Sequence, residues 1–238
     1  MKFKLSSLLL ICLAVLLIGS LFASNYILKN EYKRLSQTKD FLYTELSNQP
    51  FKHLKLVQDQ RVVDYEGYEG SGLLSLETSD TFSVMTVPTV WYVGGNDTIT
   101  SKIVDDTLII SLSHFTNADY VSHADFNLRI KAPKIESITC INSAIITPNL
   151  IQDCIRLSLF GNSIFSFGKK VEKLTSVEIS LYDKSVLNLS NILTISRLDV
   201  NMRDQSKLKM PNTQVQNFKL KADESTFIEA PSKFFKSN

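Results

Sequence analysis

The sequence predicts an all-β chain, a parallel β-helix or solenoid with coils of about 20 residues, preceded by an amino-terminal transmembrane helix and a short helical stalk. A polar turn containing serine recurs with spacings of 20, 22, 21 and 19 residues, at Ser143, Ser163, Ser185, Ser206 and Ser225. Apolar residues alternate before each turn, which is typical of strands with one buried face. A long uncharged run near the amino terminus predicts the helix.

Residues 1–4 are a short amino-terminal flank, and residues 5–28 are predicted to be a transmembrane signal anchor. This segment carries no charged residue and exceeds the roughly 20 residues needed to cross a bilayer. A cleaved signal peptide is the alternative, but a cut after Ala23 would put Leu21 where a small residue is required. Basic residues flank both ends, so the positive-inside rule does not decide the orientation.

Residues 29–50 are predicted to form a helical stalk or linker. Between Glu31 and Asn48, apolar and aromatic residues recur at loose intervals of three or four, which favours a helix continuing from the anchor. Pro50 would end this helix. A dimerising coiled coil is the alternative, although the segment is shorter than about three heptads.

Residues 51–230 are predicted to form one β-helical head. Its first part, residues 51–132, is interpreted as irregular coils of the same solenoid, with a separate small sandwich as the alternative. Six runs rich in alternating or β-branched residues predict strands here. They are Leu54–Val57, Gly72–Leu76, Phe82–Val87, Ile99–Val104, Leu108–Leu112 and Phe126–Ile130.

The regular repeats occupy residues 135–230, and residues 231–238 are a tail that is a candidate cap. One coil cannot fold alone, because burying a few side chains at about 1.5–3 kcal/mol each does not offset ordering about twenty residues at about 1–2 kcal/mol each. Stacked coils share ladder hydrogen bonds and one apolar column. The apolar pairs before the turns are Ile138 and Cys140, Leu157 and Leu159, Ile179 and Leu181, Val200 and Met202, and Leu220 and Ala222. A large apolar residue follows each serine by two positions: Ile145, Phe165, Leu187, Leu208 and Phe227.

These strands and small polar corners resemble the GIN domain family of auto-transporter adhesin heads (DUF2807), over about residues 51–230. Gly161-Asn162-Ser163 is similar to the family's Gly-Ala-Ser-like corner, whereas the other four corners keep serine and lack glycine. The stretches 107–110 and 131–135 resemble the lead-in strand and the Ala-Pro step of the family. The resemblance implies an exported, β-helical adhesin head.

Composition excludes several classes of protein. The chain has 238 residues, of which 44% are hydrophobic, enough for one folded domain and an anchor. Its 26 basic and 24 acidic residues give a net charge of +2, and no basic stripe indicates nucleic-acid binding. No phosphate-binding loop, dinucleotide fingerprint, nucleophile elbow or metalloprotease motif occurs. Neither a catalytic residue nor a cofactor is predicted.

A ladder of acidic turn residues is the main candidate site. If the coils stack, Asp183, Asp204 and Asp223 would lie about 4.8 Å apart, close enough to share a calcium ion. The alternative is that aspartate is simply a good turn residue and that Lys184 and Lys207 neutralise the stack. The same acids could also serve a carbohydrate-active enzyme, which would need a cleft between paired carboxylates.

Other reactive residues are interpreted as structural. His53, His114 and His123 lack the spacing of metal ligands. Cys140 is predicted to be a core thiol and Cys154 a corner residue, with a disulfide between them as the alternative in an oxidising envelope. Four aromatic residues are expected to cover the end of the core, with exposed ligand-binding rings as the alternative: Tyr65, Tyr68, Trp91 and Tyr92.

These features together predict a single-pass, membrane-anchored protein of the cell envelope. The family resemblance implies that the head lies outside the cytoplasm, in the periplasm or at the cell surface. Its expected partners are the membrane, through residues 5–28, and an envelope protein or glycan. The leading hypothesis is non-catalytic binding or adhesion through the flat sides of the solenoid. A periplasmic structural or signalling scaffold is the alternative, followed by a carbohydrate-active β-helix enzyme.

Overall fold

The computed structural model describes residues 5–38, 43–58, 74–86, 98–113, 128–168, 170–171, 173–189 and 193–231. The chain divides into two compact units, Met1–Tyr43 and Thr44–Asn238. The first unit contains the helix α1 (Leu5–Thr38). The described strands all belong to the second unit: β1 (Thr44–Ser47), β2 (His53–Gln58), β3 (Leu74–Thr78), β4 (Ser83–Thr86), β5 (Thr98–Val104), β6 (Thr107–Ser113), β7 (Leu128–Ala132), β8 (Ser137–Ile141), β9 (Ala144–Asn149), β10 (Cys154–Phe160), β11 (Ile164–Phe167), β12 (Lys173–Leu181), β13 (Val186–Asn188), β14 (Thr194–Met202), β15 (Lys207–Lys209), β16 (Gln214–Ala222) and β17 (Phe227–Glu229).

Helix α1 continues past the predicted end of the anchor because residues 29–38 contain no proline or glycine to interrupt it. The predicted helical stalk is wrong at its carboxyl-terminal end, since Thr44–Ser47 forms a strand. This strand pairs with β4, and such tertiary pairing overrides a loose helical pattern. Among the described residues, no helix is both long and apolar enough to cross a membrane.

The second unit is built from two sheets, which confirms the prediction of a β-rich chain after the helix. The nine-stranded sheet has the order β1-β4-β7-β3-β9-β11-β13-β15-β17, and the eight-stranded sheet has the order β16-β14-β12-β10-β8-β2-β6-β5. From β8 onward, successive strands alternate between the two sheets. Within each sheet, these strands pair in parallel.

The predicted inward-facing residues occupy equivalent positions in neighbouring strands of the eight-stranded sheet. Cys140 pairs with Leu159, Leu159 with Leu181, and Leu181 with Met202. All four side chains are fully buried. Since alternate side chains of a strand point to opposite faces, the residues between them face outward.

The amino-terminal part of the second unit, predicted as irregular coils of the same solenoid, mixes parallel and antiparallel pairing. Strand β2 is parallel to β6 and β8, and β3 is parallel to β7 and β9. Strands β5 and β6 form an antiparallel hairpin, because the two-residue turn between them leaves no room for the crossover that parallel strands require. The turn residues Asp105 and Asp106 have φ angles of 47° and 59°, as a type I′ turn needs. Strand β4 is also antiparallel to both neighbours. All six predicted strands overlap a described strand; the predicted ends at residues 72–73, 87 and 126–127 lie outside the described residues.

The last repeat is one residue out of the predicted register. Lys207 pairs with Phe227, so Thr226 is the counterpart of Ser206, and the predicted turn residue Ser225 is not. Phe227 therefore faces outward and is 54% exposed. Ser225 and Thr226 both carry a hydroxyl group, so the sequence pattern does not show which of them is the counterpart of Ser206.

Candidate functional site

The polar corners between the two sheets are held together by serine side chains. Ser163 Oγ donates to the carbonyl oxygen of Phe160 at 2.6 Å and accepts the N–H of Ser143 at 3.2 Å. Ser185 Oγ accepts the N–H of Tyr182 at 3.1 Å. These three serines are fully buried. The hydroxyl groups of Ser163 and Ser185 satisfy backbone groups where the chain changes direction, which is a structural role. Ser143 Oγ has no hydrogen-bond partner among the described residues.

The acidic residues of the corners do not stack as one ladder. Asp183 and Asp204 are equivalent, with φ angles of 53° and 58°, but the register of the last repeat sets Asp223 opposite Arg203. The Asp223 carboxylate accepts Ser225 Oγ at 2.6 Å, the Ser225 N–H at 2.9 Å and the Asp204 N–H at 3.0 Å. These bonds, the Ser225 hydroxyl first, hold the pKa of Asp223 below its ordinary value. Among the described residues, no group of three acidic, histidine or cysteine side chains could hold a metal ion.

A groove of about 330 Å³ lies on the outer face of the eight-stranded sheet and crosses β10, β12, β14 and β16. The parallel register brings outward-facing residues of these strands into rows across the sheet. One row is charged and consists of Arg156, Glu178, Asp199 and Lys219. The next row carries hydroxyl, amide and ammonium groups, from Ser180, Asn201 and Lys221. We call this surface the outer groove, and its outward-facing lining residues are Arg156, Glu178, Ser180, Asp199, Asn201, Lys219 and Lys221.

Ion pairs neutralise the two acidic residues of the outer groove. Arg156 Nε donates to Glu178 Oε2 at 3.0 Å. Arg197 donates both Nε and Nη2 to Asp199 Oδ2, at 2.9 and 2.6 Å, and these bonds raise the pKa of Arg197. In the part of the chain that the structure describes, the two lysines of β16 have no ion-pair partner. The β16 end of the groove therefore carries unbalanced positive charge.

An aromatic pair borders the outer groove. The rings of Phe160 and Tyr182 are stacked, with centroids 5.1 Å apart and planes inclined by 11°. Asn201 Nδ2 donates to the hydroxyl oxygen of Tyr182 at 3.3 Å, which joins the pair to the groove. Aromatic surface beside hydroxyl and amide groups is suited to a ligand with both apolar and polar faces.

The remaining predicted site residues are dispersed. His53 Nδ1 lies 2.8 Å from Ser137 Oγ. Cys140 and Cys154 are both free thiols, because the partner of Cys140 in β10 is Leu159, about 16 Å along the strand from Cys154 at about 3.3 Å per residue. The other predicted residues lie outside the described part of the chain: Tyr65, Tyr68, Trp91, Tyr92, His114 and His123.

The outer groove is absent from the sequence predictions because these followed the inward-facing residues of each strand. A signal was nevertheless present. Glu178 directly precedes the predicted inward residue Ile179, and Asp199 directly precedes Val200. When the residues at these preceding positions are aligned from strand to strand, they form the charged row across the sheet.

No protein-family model matches the chain, and no curated protein matches it. Among solved structures, the chain is similar to a "putative adhesin" from Parabacteroides distasonis, with 12% identity, 79% of this chain and 80% of that chain covered, and a TM-score of 0.45. It is also similar to a "putative adhesin" from Bacteroides fragilis, with 13% identity, coverage of 79% and 96%, and a TM-score of 0.34. A "putative lipid binding protein" from Parabacteroides distasonis has 8% identity, coverage of 79% and 93%, and a TM-score of 0.33.

Proposed function

We propose that this chain is a non-catalytic binding module of the cell envelope and that its outer groove binds an acidic polysaccharide. The observation that carries this proposal is the pair of lysines on β16, Lys219 and Lys221, which face the groove without an ion-pair partner among the described residues. Asn201 lies beside Lys221, and Ser180 follows in the same row one strand further on, so that amide and hydroxyl groups are available to sugar hydroxyls. An acidic sugar polymer matches both features.

The carboxylates of the outer groove favour binding over catalysis. Glu178 is bonded to Arg156, and Asp199 is bonded to Arg197. A glycosidase needs a carboxylic acid that donates a proton, which an apolar or like-charged setting provides. Each of these carboxylates lies instead against an arginine, so the two ion pairs are better suited to holding the side chains of the groove in place.

The proposal also includes the winding of residues 135–230 as a parallel β-helix, of which the binding surface is one flat side. Strands that alternate between two sheets support this winding for residues 135–230, as do partners separated by about one coil. Each coil adds one outward-facing row member at the strand spacing of about 4.8 Å. A polymer lying across the strands would therefore meet a repeated set of polar groups.

The test is binding of the full-length chain, in mild detergent, to immobilised polygalacturonate. We expect saturable binding that weakens with added salt. Lys221→Gln should weaken it about 2- to 10-fold, since such a contact contributes about 0.5–1.5 kcal/mol. Lys184→Gln makes the same charge change at a corner and should leave binding unchanged. Equal weakening by both substitutions, or equally tight binding of polyglutamate, would contradict the proposal.

Attachment to a membrane through residues 5–28 also belongs to the proposal, with the head (residues 51–230) outside the cytoplasm. The segment carries no charge, and its described side chains from Val15 to Leu28 are exposed, so apolar surface is available to lipid. A carboxyl-terminal tag should be digested by protease in intact cells or after permeabilisation of the outer membrane. Protection of the tag until the cells are lysed would contradict this location.

A further inference from the structure

Among the described strands, β16 has a neighbour on one side only. It pairs in parallel with β14 and is the last strand of the eight-stranded sheet; no other described strand lies along its second side. The Asp223 N–H bonds to the Met202 carbonyl oxygen. Because N–H and C=O directions alternate along a strand, Lys219 and Lys221 direct their backbone groups towards β14. The backbone groups of Leu220 point to the open side.

The inward-facing side chains of β16 are incompletely covered. Leu220 is 38% exposed, whereas its partner Val200 in β14 is 4% exposed and Ile179 in β12 is 3% exposed. Val215 is also only partly buried, although its partner Ile195 is fully buried. A further strand beside β16 would therefore bury apolar surface as well as pair the open backbone groups.

The outward-facing side chains of β16 indicate the charge of such a strand. Asp199, which is in register with Lys219, already accepts two hydrogen bonds from Arg197. An acidic residue in the next strand would continue the charged row. A second copy of β16 is disfavoured, because in-register pairing would place Lys219 and Lys221 against their own counterparts.

We propose that the open edge of β16 binds an extended segment of a partner protein in which acidic residues alternate with apolar residues. The segment adds a strand to the eight-stranded sheet. Its acidic side chains lie beside Lys219 and Lys221 on the outer face, and its apolar side chains cover Leu220 and Val215 on the inner face. This protein partner is distinct from the polysaccharide proposed for the outer groove.

The probe is a fluorescent eight-residue peptide of alternating valine and glutamate, titrated into the full-length chain in mild detergent. We expect saturable binding, and no binding when lysine replaces glutamate. Lys219→Gln and Lys221→Gln should each weaken binding about 2- to 5-fold. Lys207→Gln, on the outer face of the nine-stranded sheet, is the matched control and should have no effect.

Two peptides with alternate backbone nitrogens methylated separate strand addition from charge attraction alone. In a paired strand, one alternate set of N–H groups faces the protein and the other faces solvent. Methylating one set should abolish binding, and methylating the other should preserve it. Equal binding of both peptides would overturn the proposal, since it indicates an acidic polymer lying in the outer groove. Self-association of the chain that blocks the peptide would also overturn it, by assigning the edge to a second copy.

Discussion

At the scale of single residues, equivalent corner serines make unequal contributions. Ser163 uses its hydroxyl group twice, as a donor to Phe160 and as an acceptor from Ser143. Ser206 is equally buried, but its Oγ atom has no hydrogen-bond partner among the described residues. A buried hydroxyl group without a partner loses hydration and gains nothing in return.

We therefore expect Ser163→Ala to lower the free energy of unfolding by about 1–3 kcal/mol, because it leaves the buried Ser143 N–H without its acceptor. The Phe160 carbonyl oxygen keeps a second hydrogen bond, from the Asn142 N–H at 3.1 Å. Ser206→Ala should change this free energy by less than about 0.5 kcal/mol or raise it. Urea unfolding followed by circular dichroism measures both. Equal destabilisation by the two substitutions would show that Ser206 has the same bonding role as Ser163.

The two cysteines of the second unit should differ sharply in reactivity. Burial raises the pKa of the Cys140 thiol from 9.0 to about 12, whereas Cys154 is exposed. In a Cys12→Ser background at pH 8, iodoacetamide should modify Cys154 in the folded chain and Cys140 only after unfolding, because the thiolate is the reactive form. Peptide mass spectrometry measures both sites. Rapid modification of Cys140 in the folded chain would contradict its buried position.

Because the unfolded Cys140 thiol ionises near pH 9 and the folded one only near pH 12, its contribution to stability is complete below pH 9. That contribution is lost as the pH rises from 9 towards 12. Unfolding measurements on Cys140→Ala should show a smaller loss of stability over this interval than the unsubstituted chain.

At the scale of the strand, inward and outward positions differ by one residue. Leu181 is fully buried in β12, and its neighbour Ser180 faces the outer groove. Leu181→Asp should destabilise the second unit by about 4 kcal/mol or more, since it buries a charge without a partner. Ser180→Asp introduces the same carboxylate on the outer face and should cost less than about 1 kcal/mol. Similar melting temperatures for the two variants would contradict the register of β12.

The strands that could be predicted from sequence are those whose pairing follows from alternation alone. Leu159, Leu181 and Met202 pair with one another across β10, β12 and β14, as their spacing predicts. The antiparallel hairpin at Asp105 and Asp106 was not predicted, because its pairing depends on the length of the turn and on positive φ angles. The alternation of apolar residues gives no information on either. Tertiary pairing likewise determined that residues 44–47 form a strand.

The candidate site was less predictable than the fold for a related reason. Inward-facing residues share one property, hydrophobicity, and so form a visible repeat. Outward-facing residues of the outer groove differ in type from one strand to the next, with an arginine, two acids and a lysine in one row. Their grouping depends on the cross-strand register rather than on any local motif.

At the scale of the whole molecule, the proposed binding rests on the outer face of the eight-stranded sheet. The inner face of the eight-stranded sheet packs into the core, and its outer face carries the outer groove. Ion pairs fix the centre of the outer groove, and unbalanced lysines lie at its β16 end. The open edge of β16 adds a second surface, suited to an extended protein segment.

The most direct test of the outer groove is hydrogen exchange on the full-length chain with and without polygalacturonate, measured by mass spectrometry. We expect slower exchange in peptides from β14 and β16, where the ligand would lie across the outer face of the strands. Peptides from β13 and β15 of the nine-stranded sheet should be unchanged. Slower exchange confined to β13 and β15, or no change at saturating polymer, would contradict binding at the outer groove.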